Sequence, residues 1–205
     1  MRKYRVGVLG SGKGSNFVAL ADAAAADPTI PYEIALVLSD VAEAGILTQA
    51  RNRGIAAQYL SPGPFRTRLD PPTEAACVAA LQQAEVDLVA LAGFMRVLKD
   101  DFLRAYLTKV INIHPSLLPS FPGLEAWKQA LEHGVKFTGC TVHFVDPGVD
   151  TGPIIGQLAV PVLDDDTPET LHARIQVAEH ELYPAVVRAL AEGRITVRGR
   201  LTTWL

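Results

Sequence analysis

The chain has 205 residues, of which 49% are hydrophobic and 20% are charged, and its formal net charge is −3. This length suits one globular domain with a continuous core, and the composition excludes an intrinsically disordered chain. The basic residues are dispersed and no apolar stretch approaches about 20 residues, so we expect neither a nucleic-acid groove nor a membrane span.

Short apolar runs alternate with longer helical patterns through the first half of the chain. We predict strands at residues 4–9, 32–39, 56–60, 88–92 and 110–113. We predict helices at residues 16–26, 42–53, 74–84 and 100–106. Alternation of this kind is typical of an α/β fold with a mostly parallel central sheet and helices on both faces.

The last part of the chain has a different pattern. Residues 138–145 and 154–162 are strand-like and flank a turn-rich segment, which predicts an antiparallel pair at the C-terminal side of the sheet. A capping hydroxyl and a proline at Thr167-Pro168 start a helix that runs to about Glu192. Residues 194–203 are predicted to form a hairpin. Because no linker or repeat interrupts the chain, we expect one domain spanning residues 1–205.

A glycine-rich segment, Gly10-Ser11-Gly12-Lys13-Gly14-Ser15-Asn16, joins the first strand to the first helix. Its glycines let the backbone approach an anion, and the helix start favours phosphate. The spacing matches neither the Walker A box nor the dinucleotide fingerprint, so a phosphomonoester fits better than ATP or NAD. The alternative is a tight turn without a ligand.

A second candidate segment, residues 92–98, follows the strand at 88–92. Apolar residues and a glycine at the carboxyl end of a parallel strand suit a flat apolar ligand held partly by backbone groups. The alternative is a packed corner with an exposed arginine, and this segment alone does not decide between them.

Asn112 and His114 form the most informative pair in the sequence. Residues i and i+2 of a strand point to the same face, and Pro115 disfavours a helix at the histidine. An imidazole can move protons near neutral pH, and an amide can donate a hydrogen bond to a developing oxyanion. The alternative is a capped strand end before a proline-rich loop.

Asp150 lies in a loop shaped by two glycines and two prolines. A carboxylate beside His114 would raise the imidazole pKa and fix its orientation. The alternative is a turn aspartate, a role that suits Asp146 better because it precedes Pro147-Gly148. His143 lies either near the site or bonded in the core.

Glu179 stands at the edge of the apolar stripe of the last helix and needs a partner there. That partner is either a ligand hydroxyl or Arg174. Cys77 and Cys140 form no CxxC or zinc pattern, and the histidines are dispersed, so we expect reduced thiols, no metal site and a cytoplasmic location. No signal-peptide pattern opens the chain.

Several of these blocks occur in one order that resembles a known family. The blocks are Gly12–Asn16, Leu91–Arg96, Asn112–Pro119, Pro122-Gly123, Gln129–Leu131, Val142–Phe144 and Asp150–Pro153. Together they resemble the folate-dependent phosphoribosylglycinamide formyltransferases of purine biosynthesis. The resemblance covers nearly the whole chain.

The resemblance implies a Rossmann-like three-layer fold and formyl transfer from 10-formyltetrahydrofolate to the glycine amine of glycinamide ribonucleotide. It implies small-molecule substrates, no nucleic acid and no membrane, and leaves monomer and homodimer open. By motif, Asn112, His114 and Asp150 are implied to be catalytic, and we expect Asn112 and His114 to stabilise a tetrahedral intermediate while Asp150 assists proton transfer. The other implied roles are phosphate binding for Gly14, Ser15 and Asn16, ribose binding for Glu179, and folate binding for Arg68, Met95, Arg96, Val97 and Leu98.

One residue departs from the family pattern, because Glu125 stands where a histidine is common. A formyltetrahydrofolate hydrolase is the nearest alternative, although such enzymes usually carry an extra N-terminal regulatory domain. A methionyl-tRNA formyltransferase would need a further C-terminal domain and a basic surface. A non-catalytic nucleotide- or folate-binding module is an alternative of a different class.

Overall fold

A computed structural model describes residues 2–205, apart from the side chain of Asp100. The strands are β1 (Tyr4–Leu9), β2 (Tyr32–Ser39), β3 (Ala57–Tyr59), β4 (Leu88–Leu91), β5 (Val110–His114), β6 (Phe137–Phe144), β7 (Ile154–Pro161), β8 (Ile195–Arg198) and β9 (Leu201–Trp204). The helices are α1 (Ser15–Ala26), α2 (Gly45–Asn52), α3 (Pro71–Gln83), α4 (Asp100–Ala105), α5 (Ala126–Glu132) and α6 (Pro168–Ala191).

Seven strands form one sheet in the order β3-β2-β1-β4-β5-β6-β7, and β8 and β9 form a separate two-stranded sheet. β1 pairs in parallel with β2 and β4, whereas β6 and β7 are antiparallel. The predicted fold class is therefore confirmed. The chain divides into two compact units, Met1–Ile111 and Asn112–Leu205, and the prediction of a single domain stays a prediction.

The first unit has its core in β1, β2 and β4. Most of their apolar side chains are buried, and Val6, Val8 and Val37 are fully buried, as expected for parallel strands covered on both faces. α3 begins at Pro71, three residues before the predicted start, because the Asp70 carboxylate accepts a hydrogen bond from the Thr73 N–H (2.9 Å). Pro71 and Pro72 have no N–H group, so Thr73 carries the first N–H in the helix, and the Asp70 cap gives that N–H a hydrogen-bond acceptor.

The second unit has its core between α6 and the β6–β7 pair. The apolar stripe of α6 is buried at Leu171, Ile175, Leu182 and Val186. Thr167 caps the helix as predicted, accepting a hydrogen bond from the Thr170 N–H (3.3 Å). The predicted C-terminal hairpin is also present as β8 and β9.

The C-terminal hairpin is fastened to the start of β7 and to the loop before it. The Trp204 indole N–H donates to the Ile155 carbonyl (2.8 Å), and the Thr202 hydroxyl donates to the Ile154 carbonyl (2.6 Å). Arg200 donates to the Thr151 carbonyl (2.9 Å). The hairpin thereby supports the chain directly after Asp150.

The loop that follows β5 is held by the fully buried hydroxyl of Thr141 on β6. This hydroxyl donates to the Ser116 carbonyl (2.7 Å) and accepts from the Leu118 N–H (3.0 Å) and the Gln157 amide (2.9 Å). One side chain therefore fixes the path of the chain just beyond His114. Among the described helices, none has the length and apolar character required to cross a membrane.

We predict that Thr141→Val destabilises the protein by about 1–3 kcal/mol, because it leaves the buried Leu118 N–H without its acceptor. Chemical denaturation measures the loss, and amide exchange should show faster exchange at Leu118. The control Thr141→Ser loses a methyl group and retains the hydroxyl, so Leu118 should stay protected. Equal protection of Leu118 in the Val and Ser variants would contradict the prediction.

Candidate active site

Asn112 and His114 lie two residues apart within β5, which extends through the histidine as the Asn-Ile-His-Pro pattern predicts. His114 is buried, with 4% of its surface exposed, and Asn112 is half-buried. The alternation of a strand sends both side chains to one face, with the buried Ile113 on the other.

The hydrogen bonds of His114 determine its tautomer. Its Nε2 lies 2.9 Å from the Phe121 carbonyl oxygen, which can only accept, so Nε2 carries the hydrogen. In the neutral ring the lone pair is therefore on Nδ1, and Nδ1 lies 3.4 Å from Asp150 Oδ2. The basic nitrogen of the imidazole thus lies close to a carboxylate.

Asp150 is brought beside His114, as the sequence predicted. Its Oδ2 accepts a hydrogen bond from the Gly123 N–H (2.8 Å), and its side chain is 12% exposed. Asp146 is the turn residue of this loop, because its Oδ1 accepts from the Gly148 N–H (3.1 Å) and the Thr151 hydroxyl (2.6 Å).

Three residues of this unit that are not glycine adopt the left-handed backbone region: Phe121, Glu125 and Asp150, at φ values of 55°, 54° and 54°. Such conformations cost free energy for residues with a Cβ atom and cluster at functional sites. Two of the three, Phe121 and Asp150, are the residues that lie beside the His114 ring.

The pKa values of the His114–Asp150 pair are set by burial and by mutual attraction. Burial lowers the pKa of His114 below 6.5, and the charge of Asp150 and the hydrogen bond to Phe121 only partly oppose it. Burial acts to raise the pKa of Asp150, but contacts with His143, the Gly123 N–H and His114 lower it below 3.8. At neutral pH the pair is therefore a neutral imidazole beside a carboxylate.

His143 on β6 is a fourth member of the site that the sequence left undecided. Its Nδ1 donates to the Phe144 carbonyl (2.8 Å), so its Nε2 is free to accept the Asn112 amide hydrogen (3.3 Å). The same Nε2 lies 3.6 Å from Asp150 Oδ1. The only sequence signal that His143 could contact Asn112 was its position on β6, where it shares a face with Thr141.

These contacts define what the site can do chemically. The second hydrogen of the Asn112 amide has no partner among the described residues and can donate to an oxyanion. His114 Nδ1 can take a proton, and Asp150 would stabilise the imidazolium that results. The arrangement suits attack of a neutral nucleophile on a carbonyl carbon.

The glycine-rich turn of the first unit presents the start of α1 to a ligand. Gly14 is the N-cap residue at φ 85°, and no side chain in the described part of the chain caps this helix. A Cβ atom at Gly14 would lie 2.8 Å from the backbone of Ile46, so glycine is required there. Ser15 and Asn16 supply first-turn N–H groups, which favour an anion.

The predicted folate segment follows β4 and has mixed exposure. Met95 is 57% exposed, whereas the Leu98 side chain is buried in the core. The Arg96 side chain is paired with Asp40 rather than free. Arg68 is exposed, lies 4.1 Å above the Phe65 ring and forms a parallel bridge with Val97.

Two other predicted positions are clarified by the structure. Glu179 on α6 is buried, with 4% exposed, and Arg174 is not its partner because Arg174 pairs with Asp166 (2.6 Å). Glu125, which stands where a histidine is common in the family, is the N-cap residue of α5, and its exposed carboxylate pairs with Lys128. Within the described residues, no cluster of three or more His, Cys, Asp or Glu could hold a metal ion.

Comparison with known proteins identifies the family. Residues 4–187 match the family model described as formyl transferase. The chain belongs to the formyl transferase family. A phosphoribosylglycinamide formyltransferase of Mycobacterium tuberculosis is 46% identical, over 97% of this chain and 90% of that protein.

Two further relatives of the chain differ in length. The structure of glycinamide ribonucleotide transformylase 1 from Symbiobacterium toebii has a TM-score of 0.94 and 49% identity, covering 100% of this chain and 95% of that one. The trifunctional purine biosynthetic protein adenosine-3 of Homo sapiens is 43% identical over 95% of this chain. The chain spans 19% of that longer protein.

We predict that Asp150→Asn moves the pKa of His114 further below 6.5, because the carboxylate charge favours the imidazolium and the substitution removes it. An NMR titration of the His114 ring measures the shift. The control Asp164→Asn removes a carboxylate that is 93% exposed and should leave the titration unchanged. A His114 pKa that stays the same or rises in Asp150→Asn would contradict the pairing.

We also predict that His143→Phe lowers kcat by about 10²-fold with little change in KM, because the Asn112 amide loses the acceptor that orients it. His143→Gln supplies an acceptor oxygen and should recover part of the rate. Steady-state kinetics separates kcat from KM. Equal rates for the Phe and Gln variants would show that orientation of Asn112 does not depend on this contact.

Proposed function

We propose that this formyl transferase moves the formyl group of 10-formyltetrahydrofolate to the glycine amine of N1-(5-phospho-D-ribosyl)glycinamide, a step of purine biosynthesis. The observation that carries the proposal is the position of His114, whose Nε2 donates to the Phe121 carbonyl and whose Nδ1 lies 3.4 Å from Asp150 Oδ2. The 46% identity with the mycobacterial phosphoribosylglycinamide formyltransferase supports the choice of substrates.

The proposed reaction needs an oxyanion donor and a proton acceptor, and no covalent enzyme intermediate. The amine attacks the formyl carbon, a C–N bond forms, and the carbonyl oxygen becomes an oxyanion that the Asn112 amide stabilises. The amine proton passes to His114 Nδ1, where Asp150 balances the charge. The bond to the folate nitrogen then breaks, and that nitrogen takes the proton from the imidazolium.

The proposed binding roles follow the chemistry of each segment. Gly14, Ser15 and Asn16 would bind the 5′-phosphate at the uncapped start of α1. The buried carboxylate of Glu179 suits the ribose hydroxyls. We assign the folate site to residues 95–98 and Arg68. Arg96 and Leu98 would contribute backbone groups only, because the Arg96 side chain is paired with Asp40 and the Leu98 side chain is buried in the core.

We infer that the enzyme acts on small molecules in the cytoplasm, as one domain and as a monomer or homodimer. Cys77 and Cys140 are both free and buried, which suits a reducing compartment. Burial raises the pKa of each thiol to about 12, so neither thiol supplies a nucleophile at neutral pH.

Spectrophotometric assay of the purified chain with 10-formyltetrahydrofolate and glycinamide ribonucleotide tests the function. Formyl transfer that requires the ribonucleotide is the expected result. Consumption of the folate without an acceptor would instead indicate a hydrolase. Binding of either compound without any consumption would indicate a non-catalytic module, and both of these results would overturn the proposal.

We predict that His114→Ala lowers kcat by about 10²–10⁴-fold while the affinity for inorganic phosphate changes little, because the imidazole acts in proton transfer and not in phosphate binding. Asp150→Asn should lower kcat in the same direction. Calorimetric titration with phosphate provides the control measurement. Near-normal turnover in either variant would refute the assignment of these residues.

A further inference from the structure

A buried carboxylate that the proposed mechanism does not use lies in the first unit. Asp40 follows β2 directly, and only 3% of its side chain is exposed. Its Oδ1 accepts a hydrogen bond from the Ser11 hydroxyl (2.6 Å), and its Oδ2 accepts one from Arg96 Nε (2.7 Å). Each carboxylate oxygen therefore has its own donor, from a different part of the chain.

Ser11 extends this contact to the backbone of the proposed folate segment. Its hydroxyl accepts a hydrogen bond from the Met95 N–H (2.9 Å), and its own N–H donates to the Gly93 carbonyl (3.0 Å). Because Ser11 belongs to the glycine-rich turn, the turn and residues 93–95 are joined through one side chain and one backbone bond.

Arg96 extends the contact in the other direction, to the loop that carries Arg68. The guanidinium group donates to the Phe65 carbonyl as well as to Asp40, and the Val97 N–H donates to the Thr67 carbonyl (2.9 Å). With 15% of its side chain exposed, Arg96 is committed to these partners. The Asp40 carboxylate thereby connects three segments of the unit.

Such an arrangement is more than a surface ion pair. A buried carboxylate is costly unless it is paired and hydrogen-bonded, and removal of one partner leaves an uncompensated charge. The two side chains that donate to Asp40 belong to segments proposed to bind the two substrates: Ser11 to the glycine-rich turn, and Arg96 to the folate segment.

We propose that Asp40 is a positioning residue that holds the phosphate-binding turn and the folate-binding segment in their binding geometry. This inference rests on the proposed function, because it takes both segments as substrate-binding. It assigns no contact with substrate to Asp40 itself. Its effect is preorganisation, which lowers the ordering cost of binding.

Asp40→Asn tests the proposal, since the amide has nearly the same shape but offers one acceptor oxygen and no charge. We expect the KM for the folate and the KM for the ribonucleotide both to rise by about 10-fold, with a smaller fall in kcat. Ser11→Ala removes one of the two hydrogen bonds to Asp40 and should raise both KM values by a smaller factor. This variant also tests the proposal if Asp40→Asn does not fold.

Asp22→Asn is the matched control, because Asp22 pairs with Arg53 in the same unit at 2.9 Å and is 59% exposed. It should leave both KM values unchanged. A purely structural role for Asp40 would lower the melting temperature without moving KM. Unchanged KM values in both Asp40→Asn and Ser11→Ala, with an active parent enzyme, would overturn the inference.

Amide exchange separates this inference from the proposed function. In Asp40→Asn the N–H groups of Met95 and Val97 should exchange faster than in the parent, whatever reaction the protein catalyses. If the parent enzyme transfers no formyl group, the proposed function fails while the exchange result still tests the anchoring. Unchanged exchange at both amides would contradict the anchoring itself.

Discussion

The hydrogen bond from His114 Nε2 to the Phe121 carbonyl determines what the rest of the site can do. It places the hydrogen of the neutral ring on Nε2, so the basic nitrogen is Nδ1, which lies 3.4 Å from the stabilising charge of Asp150. The loop that supplies this carbonyl also supplies the Gly123 N–H that holds Asp150. One loop therefore sets both the tautomer and the position of the carboxylate.

That loop is in turn fixed by polar contacts with the antiparallel pair. The Thr141 hydroxyl bonds the backbone at Ser116 and Leu118, and Gln157 donates to the Leu118 carbonyl (2.9 Å). Because buried backbone groups must find partners, these side chains select one path for the loop. The antiparallel strands at the C-terminal side of the sheet thus contribute to the site as well as to the core.

Local patterns in the sequence were sufficient for much of the fold and for part of the site. Strand alternation and Pro115 predicted that Asn112 and His114 share a face, and Thr167-Pro168 predicted the start of α6. Contacts between distant segments could not be read in this way. The role of His143 depends on its position opposite Asn112, and Asp40 stands after a strand without any motif. The start of α3 was also missed, although its signal is local, because the Asp70 cap begins the helix three residues before the apolar pattern does.

The two buried aspartates show how the choice of partner decides what a carboxylate does. Asp40 faces a guanidinium, which does not lose its proton in proteins, so this pair can only hold a position. Asp150 lies beside the His114 imidazole, a side chain that can exchange protons near neutral pH, so the Asp150 charge can stabilise His114 when the ring becomes protonated. An arginine beside Asp150 would give a permanently charged pair where proton transfer is needed. A histidine beside Asp40 would give a titrating pair where a fixed geometry is needed. The partner residues, rather than the carboxylates themselves, therefore separate positioning from catalysis in this chain.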